Sequence, residues 1–425
     1  MTIKIALLGA GTVGSQVARL LKEENELLAA RAGAPLELVG ISVSNLEAER
    51  DPWIDRELLT TDSKAIIDQA DIVIELIGGV DLPRELILYA INSGASVVTG
   101  NKALLAEHGP EIYDLAKEKN VDVYYEAAVA GAVPVVYAVR ESLAGDTVKA
   151  IQGILNGTTN YILDEMTTKG LPFDEVLATA QELGFAEADP TADVDGHDAA
   201  AKIAILASLA FHKRVHIDDV QVEGIREITS SDIAAATAGG YVIKLIAEAT
   251  QDDAGKIDVR VGPTLVPEAH PLASIGGSFN AVVIEAEAAD RLMFYGRGAG
   301  GAPTASAVLS DVVAAASKRV VGGRAPQEIV LGKSEFVAAE DSTSKYFVRM
   351  DVQDEVGTLA QLARLFADAG VSISSVQQES VAGNGEAEIT ITTHTARAAD
   401  LAATIESIND TQTAKVSRVL RVADE

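Results

Sequence analysis

The chain contains no cysteine. Disulfides, cysteine metal sites and thiol nucleophiles are therefore excluded, and the composition fits a reducing, cytoplasmic setting. It has no apolar run of about 18 residues, so no membrane-spanning helix is expected. Its first residues, Met1-Thr2-Ile3-Lys4-Ile5-Ala6, enter a strand pattern at once, without the layout of a signal peptide. Basic residues are scarce: 34 Lys and Arg stand against 63 Asp and Glu, a net charge of −29. Such a surface repels nucleic acid and anionic membranes, and neither is expected as a partner. A small anionic substrate is not excluded, because a local Lys or Arg cluster can hold one. With 425 residues, 48% of them hydrophobic, the chain can build more than one core.

What is present centres on Gly184 to Leu206. The stretch opens as a loop, with Pro190 and Gly196 among Asp, Thr and Ala. From Asp198 it becomes an Ala-rich helix former, apolar almost all round, which implies burial. Asp198 and Lys202 are four apart and share one helix face. A buried Lys beside a carboxylate can have its proton tuned for transfer. A loop holding Glu187, Asp189, Asp193 and Asp195 reaches this pair, which resembles an active site more than a surface; the plain alternative is an ordinary i,i+4 salt bridge at a helix start.

The rest of the chain supplies context. Ile3–Leu8 reads as a strand, followed by Gly9-Ala10-Gly11-Thr12-Val13-Gly14 and a helix from Ser15 to Leu28. This is the dinucleotide fingerprint in the setting it requires, with the helix N-terminus offered to phosphates. The second strand, Leu36–Val43, ends without the acid that binds a ribose 2′-hydroxyl. That absence favours NADP or tolerance of both cofactors, and Arg50 is either a candidate for a 2′-phosphate or a solvated loop residue. Strands are expected over Asp71–Gly79, Ser96–Thr99 and Asp122–Tyr125, with helices over Pro83–Ser93 and Pro110–Lys119. Lys102 follows a strand end, the edge where open α/β sheets bind ligands. Glu126 to Pro134 is small, apolar and glycine-broken. It reads either as a packed crossover or as an oxygen cage for a hard cation.

From Ala150 a second α/β region begins. Asn156-Gly157-Thr158-Thr159-Asn160 opens a helix with polar groups suited to a cap or a polar substrate. Strands are expected over Val242–Thr250, Ile257–Pro263 and Ala281–Ala286. Phe294 to Pro303 reads as a flexible glycine closure before a helix, Thr304–Ala316, that returns to the first domain with Gly300 and Gly301 near the cofactor. Val321–Lys333 reads as a linker. Lys345–Val422 follows as β-α-β-β-α-β, a ferredoxin-like unit suited to regulation or oligomerisation.

Taken together, these motifs resemble monofunctional homoserine dehydrogenases of the actinobacterial type with a C-terminal ACT domain. The likeness runs end to end and is most specific in the spacing of Glu187, Asp198 and Lys202. It implies an α/β chain with a Rossmann-type dinucleotide-binding domain (1–134 plus 302–322). An α+β substrate and dimerisation domain (135–301), a linker (323–344) and a ferredoxin-like ACT domain (345–425) complete it. It implies reversible NAD(P)H-dependent reduction of L-aspartate 4-semialdehyde to L-homoserine, in threonine, methionine and isoleucine biosynthesis, with feedback by L-threonine. Lys202 would be the acid/base, with Asp198 and Lys102 also catalytic. Glu187, Asp198, Asn156 and Thr158 would bind substrate. Gly9, Gly11, Thr12, Val13, Gly14, Arg50, Lys102 and Gly300 would hold NADP(H) or NAD(H). Glu126, Val129, Gly131 and Val133 would hold sodium. A homo-oligomer, dimer or tetramer, is expected. Two other readings carry less of the pattern: another Rossmann oxidoreductase, such as a 2-hydroxy-acid or amino-acid dehydrogenase, and a non-catalytic NADP and amino-acid sensor. The six histidines fall in no layout of the first, and the intact Glu187, Asp198 and Lys202 set speaks against the second.

Overall fold

Short runs of aliphatic residues that are apolar on both faces build a parallel sheet covered on both sides. A computed structural model describes residues 1–381 and 386–424. In it, β1 (Ile3–Leu8), β2 (Leu36–Ser42), β3 (Leu59–Thr60), β4 (Ile72–Glu75), β5 (Ser96–Thr99) and β6 (Val123–Tyr124) pair in the order β3-β2-β1-β4-β5-β6. All these pairs are parallel. The strand order reverses between β1 and β4, so the crevice outside their carboxyl ends is where a ligand of such a sheet sits.

By its internal contacts the chain forms two compact units, each assembled from separated segments. The first takes Met1–Gly157, Asp198–Val220 and Ser278–Ser334. The expected returning helix is present, over Gly301–Val321. Its Ala305, Val308, Val312 and Ala316 are buried in the same core as Ile5, Val17, Leu21 and Ile74. The first unit also holds an antiparallel trio, in which Phe279–Ala286 lies between Asp290–Arg297 and Val148–Ile154. This corrects two expectations. Phe294–Arg297 is not part of a flexible closure but the end of an edge strand, with only Gly298–Gly300 left as the turn into the helix. The helix over Pro110–Lys119 begins eight residues earlier, at Lys102, because the Asn101 side chain caps it by accepting from the Leu104 N–H at 3.1 Å. Pro110 removes one ladder hydrogen bond from its interior, and burial of Leu104, Leu105 and Ile112 outweighs that loss.

The second unit takes Thr158–His197, Gln221–Gly277 and Glu335–Glu425. Its long antiparallel pair, Tyr241–Gln251 with Ile257–Pro267, runs past the expected ends on both strands. The β-α-β-β-α-β pattern is borne out by strands Thr343–Gln353, Ile373–Val381, Glu386–Thr393 and Ala414–Val422, with helices Thr358–Asp368 and Ala398–Asn409. The turn between its second and third strands, and Glu425, lie outside the described residues. Val348, Met350, Leu362, Phe366, Leu401 and Ile408 form its core. This module is tied to the rest of its unit by Asp232, whose side chain is 1% exposed and pairs with Arg349 at 2.9 Å and Arg418 at 3.3 Å.

Candidate active site

Gly196 turns the chain in the left-handed region, at φ +86°, and the helix His197–Phe211 starts immediately after it. All its residues from Asp198 to Ala207 are buried, so the i,i+4 pair predicted on its first turns is held away from water. Lys202 Nζ donates to Asp198 Oδ2 at 2.7 Å and to the Leu155 carbonyl at 2.7 Å. The same carboxylate meets a second lysine: Lys102 Nζ lies 2.7 Å from Asp198 Oδ1. Asn156 Nδ2 donates to Asp198 Oδ2 at 2.9 Å, and Asn280 Nδ2 donates to the Leu155 carbonyl at 3.0 Å. Four of the expected site residues, Lys102, Asn156, Asp198 and Lys202, are therefore in direct contact. Burial opposes charge on Asp198, but the Lys202 and Lys102 ammoniums outweigh it and hold the carboxyl well below the usual carboxylate range. The Lys102 side chain is 43% exposed and that of Lys202 only 10%, so solvent reaches the first lysine and hardly the second.

The nucleotide loop has the geometry its glycines imply. Gly9 adopts φ +99°. A side chain at position 14 would overlap the Gly9 carbonyl, whereas position 11 is open. The open backbone at Gly11 and the N-terminal amides of helix Thr12–Glu23, with Thr12 and Val13 in its first turn, are what a pyrophosphate requires. Arg50 reaches this loop: its Nη1 donates to the Ala10 carbonyl at 3.0 Å and its Nη2 to the Asn45 carbonyl at 3.2 Å. Gly300, at φ +118°, precedes Gly301, whose Cα side lies against the Thr12 carbonyl, 2.9 Å from where a Cβ would stand. Gly14→Ala is expected to raise the KM for cofactor about tenfold, by pushing the helix start off the loop. Steady-state kinetics in varied cofactor would check this, and an unchanged KM would separate Gly14 packing from nucleotide binding.

Glu126 is buried and its carboxylate accepts from the Val136 N–H at 3.0 Å and the Tyr137 N–H at 2.7 Å. Its own N–H donates to Asp311 at 2.9 Å. Burial, reinforced by the neighbouring Asp311, pushes Glu126 up to about 8. Burial pushes Asp311 up to about 7. The Arg140 guanidinium acts on both acids and offsets the effect of burial only in part. Val129 and Val133 flank the turn at Ala130 and Gly131, both with positive φ, and Gly131 packs against the Gly298 carbonyl. The remaining two expected residues belong to the second unit. Thr158 is buried and donates its hydroxyl to the Phe185 carbonyl at 2.7 Å, and Glu187 is exposed.

Comparison with known proteins matches residues 9–126 to the NAD-binding domain of homoserine dehydrogenase, 134–313 to homoserine dehydrogenase and 346–411 to the ACT domain. The homoserine dehydrogenase of Corynebacterium glutamicum is 51% identical over 99% of this chain and 95% of its own length. That of Mycobacterium tuberculosis is 49% identical over 99% of this chain and 97% of its own. The chain belongs to the homoserine dehydrogenase family. The crystal structure of a homoserine dehydrogenase from Thiobacillus denitrificans superposes with a TM-score of 0.94 at 37% identity, covering 100% of this chain and 99% of that one. A hyperthermophilic archaeal homoserine dehydrogenase in complex with NADPH gives 0.63 at 26% identity over 77% of this chain and 100% of that one. The chain is accordingly an NAD(P)-dependent oxidoreductase with an ACT domain, as its motifs implied. No helix among the described residues is long and apolar enough to cross a membrane.

The site also contains groups outside the expected set. Glu75, fully buried at the end of β4, accepts from Thr99 Oγ1 at 2.7 Å and from the Ile77 N–H at 2.8 Å. Thr99 Oγ1 in turn accepts from the Asn101 N–H at 3.0 Å, and Asn101 Nδ2 donates to the Gly79 carbonyl at 2.7 Å. Burial raises Glu75 above the ordinary carboxyl value against these bonds. The network fixes the turn that delivers Lys102. Its signal in the sequence is an acid inside an otherwise apolar strand, Ile72-Val73-Ile74-Glu75. The Leu155 carbonyl, which accepts from Lys202, and Asn280, which donates to that carbonyl, leave no such signal.

Proposed function

We propose that the protein interconverts L-homoserine and L-aspartate 4-semialdehyde with NADP(H), and that Lys202 carries the proton. The observation that carries this reading is the bridging of Lys202 and Lys102 by Asp198. When bound, the nicotinamide supplies or accepts the hydride at the substrate C4. In the oxidation direction the hydroxyl proton passes to neutral Lys202 Nζ as the C4–H bond breaks. In the reduction direction the ammonium returns it to the carbonyl oxygen. Two of the ammonium's N–H groups are committed to Asp198 and Leu155, and no protein acceptor for the third is found among the described residues. One donor is thus available to stabilise the developing alkoxide.

Asp198, Asn156, Thr158 and Glu187 bind the amino acid, the carboxylates contacting its ammonium, which explains how a chain of charge −29 holds it. Lys102 contacts the cofactor and acts as the second catalytic lysine. Gly9 to Gly14 and Gly300 hold the dinucleotide, with Arg50 on its 2′-phosphate. Arg50→Ala is expected to raise the KM for NADP⁺ about tenfold while leaving that for NAD⁺ unchanged. Equal effects on both would make Arg50 a brace for the loop. Glu126, Val129, Gly131 and Val133 hold sodium as a structural counter-charge.

The domains follow the boundaries given above, with 135–301 also the dimerisation domain of a cytoplasmic homo-oligomer. The ACT domain senses L-threonine, so the enzyme serves threonine, methionine and isoleucine biosynthesis. The deciding experiment is reduction of NADP⁺ by L-homoserine, with L-threonine titrated in. Turnover that falls with L-threonine supports the reading. Absence of turnover with L-homoserine, alongside oxidation of a 2-hydroxy acid, would overturn it.

A further inference from the structure

Arg50 stands in a connection that no regular element holds. Residues 43–55 form neither helix nor strand, and most side chains from Ser44 to Asp51 are exposed. A loop of this kind moves unless side chains tie it down. Two of its side chains are tied, and both go to one serine. Ser15 is 5% exposed near the start of the helix Thr12–Glu23, directly after the last glycine of the nucleotide loop. Its hydroxyl donates to Asp51 Oδ2. Trp53 Nε1 donates to that hydroxyl at 2.9 Å and to the Ser15 carbonyl at 3.1 Å. Ser15 therefore holds the loop on either side of Pro52, whose ring fixes its own φ and restricts Asp51 before it.

The far side of this clamp is anchored in turn. Trp53 packs against the core of the parallel sheet, and Ile54 is buried in it. The Arg19 guanidinium lies 5.8 Å from the Trp53 ring centroid, within cation–π range. The Ile54 N–H closes the turn onto the Asp51 carbonyl at 3.0 Å.

The clamp sits where it governs Arg50. Asp51 is the next residue in the chain and so the acid nearest to hand for the guanidinium. With the Asp51 carboxylate engaged by Ser15, the guanidinium bonds the Ala10 and Asn45 carbonyls instead. These neutral acceptors orient the planar fork without cancelling its charge. Arg50 Nε, shielded from solvent, has no acceptor among the described residues. A fork fixed beside the nucleotide loop, with donors to spare, suits a phosphate. It also loses little further freedom when one binds. A released Asp51 would act in the opposite sense, by pairing with Arg50 or repelling the phosphate. We propose that Ser15, with Asp51 and Trp53, forms a positioning clamp that sets the preference for a dinucleotide carrying a 2′-phosphate, acting through Arg50. This rests on the reading of Arg50 as the 2′-phosphate contact.

The test is a double-mutant cycle on the full chain, with the dissociation constants of NADPH and NADH read from their fluorescence. Ser15→Ala is expected to weaken NADPH about fivefold and to leave NADH unchanged. The fold should survive, because Trp53 keeps the main-chain carbonyl at position 15 as a partner. Trp53→Phe, which keeps a ring in place and removes the N–H, should act in the same direction. In the Arg50→Ala background neither substitution should weaken NADPH further. Equal weakening of NADPH and NADH by Ser15→Ala would make the serine a support of the glycine loop and overturn the proposal. An unchanged NADPH affinity, or a loss that persists without Arg50, would overturn it too, and all three outcomes leave the reading of Arg50 standing. Failure of Arg50→Ala alone to distinguish NADPH from NADH would instead remove that reading, and the clamp's role with it.

Discussion

Lys202→Ala is expected to lower turnover of L-homoserine about a thousandfold while leaving cofactor affinity unchanged. The separation follows from the contacts of the ammonium. It touches Asp198 and the Leu155 carbonyl, and nothing of the glycine loop or of Arg50. The fold should survive, because Asp198 keeps Lys102 and Asn156 as partners when Lys202 is removed. NADPH production with L-homoserine, together with NADPH binding followed by its fluorescence, checks both halves. Near-normal turnover would return the Asp198–Lys202 pair to a structural salt bridge and move the proton transfer to Lys102.

Asp198→Asn should have the second largest effect, and it should act on stability as well as on rate. The substitution leaves the buried Lys202 ammonium and the half-exposed Lys102 without their shared counter-charge. Removing one partner from a buried ion pair costs about 3–5 kcal/mol, and exposure of Lys102 puts this case at the lower end. Turnover should fall about a hundredfold, because the two lysines lose the carboxylate that holds them together. The native carboxyl lies below its ordinary value of 3.8. Its contribution to stability is therefore complete above that value and lost as pH falls through the lower, folded-state one. The unfolding temperature of the native protein should accordingly fall on acidification below about pH 4, and that component should be missing from the Asn variant. A variant as stable and as active as the native protein would show that Asp198 does not control the lysines.

Features with a local cause could be read from the sequence. The glycines at 9, 11 and 14 announce a strand, a tight turn and a helix within a dozen residues, and the loop has that geometry. Asp198 and Lys202 are neighbours because a helix makes them so. Features whose cause is distant in the chain could not be read. Lys102 and Asp198 lie almost a hundred residues apart, and only the tertiary fold brings them to 2.7 Å. The early start of the helix at Lys102 was hidden because Pro110 is a favoured first-turn residue, whereas here an Asn101 cap and apolar burial override that preference. The strand Asp290–Arg297 was obscured by the glycines that follow it and by its position at a sheet edge, where exposed side chains blur the alternation.

The interleaving of the two units bears on the chain during its synthesis. β6 ends at Tyr124, so all six strands of the parallel sheet exist early. The helix that fills one side of their core, Gly301–Val321, is made about 200 residues later. At ribosomal rates of about 5–20 residues per second, that side of the sheet stays bare for roughly 10 to 40 seconds. The exposed surface includes Val17, Leu21 and Ile74, and a nascent chain in this state depends on chaperones or on a slow vectorial order of assembly. A fragment ending before residue 301 keeps that surface permanently, so neither unit corresponds to any one continuous stretch of translation.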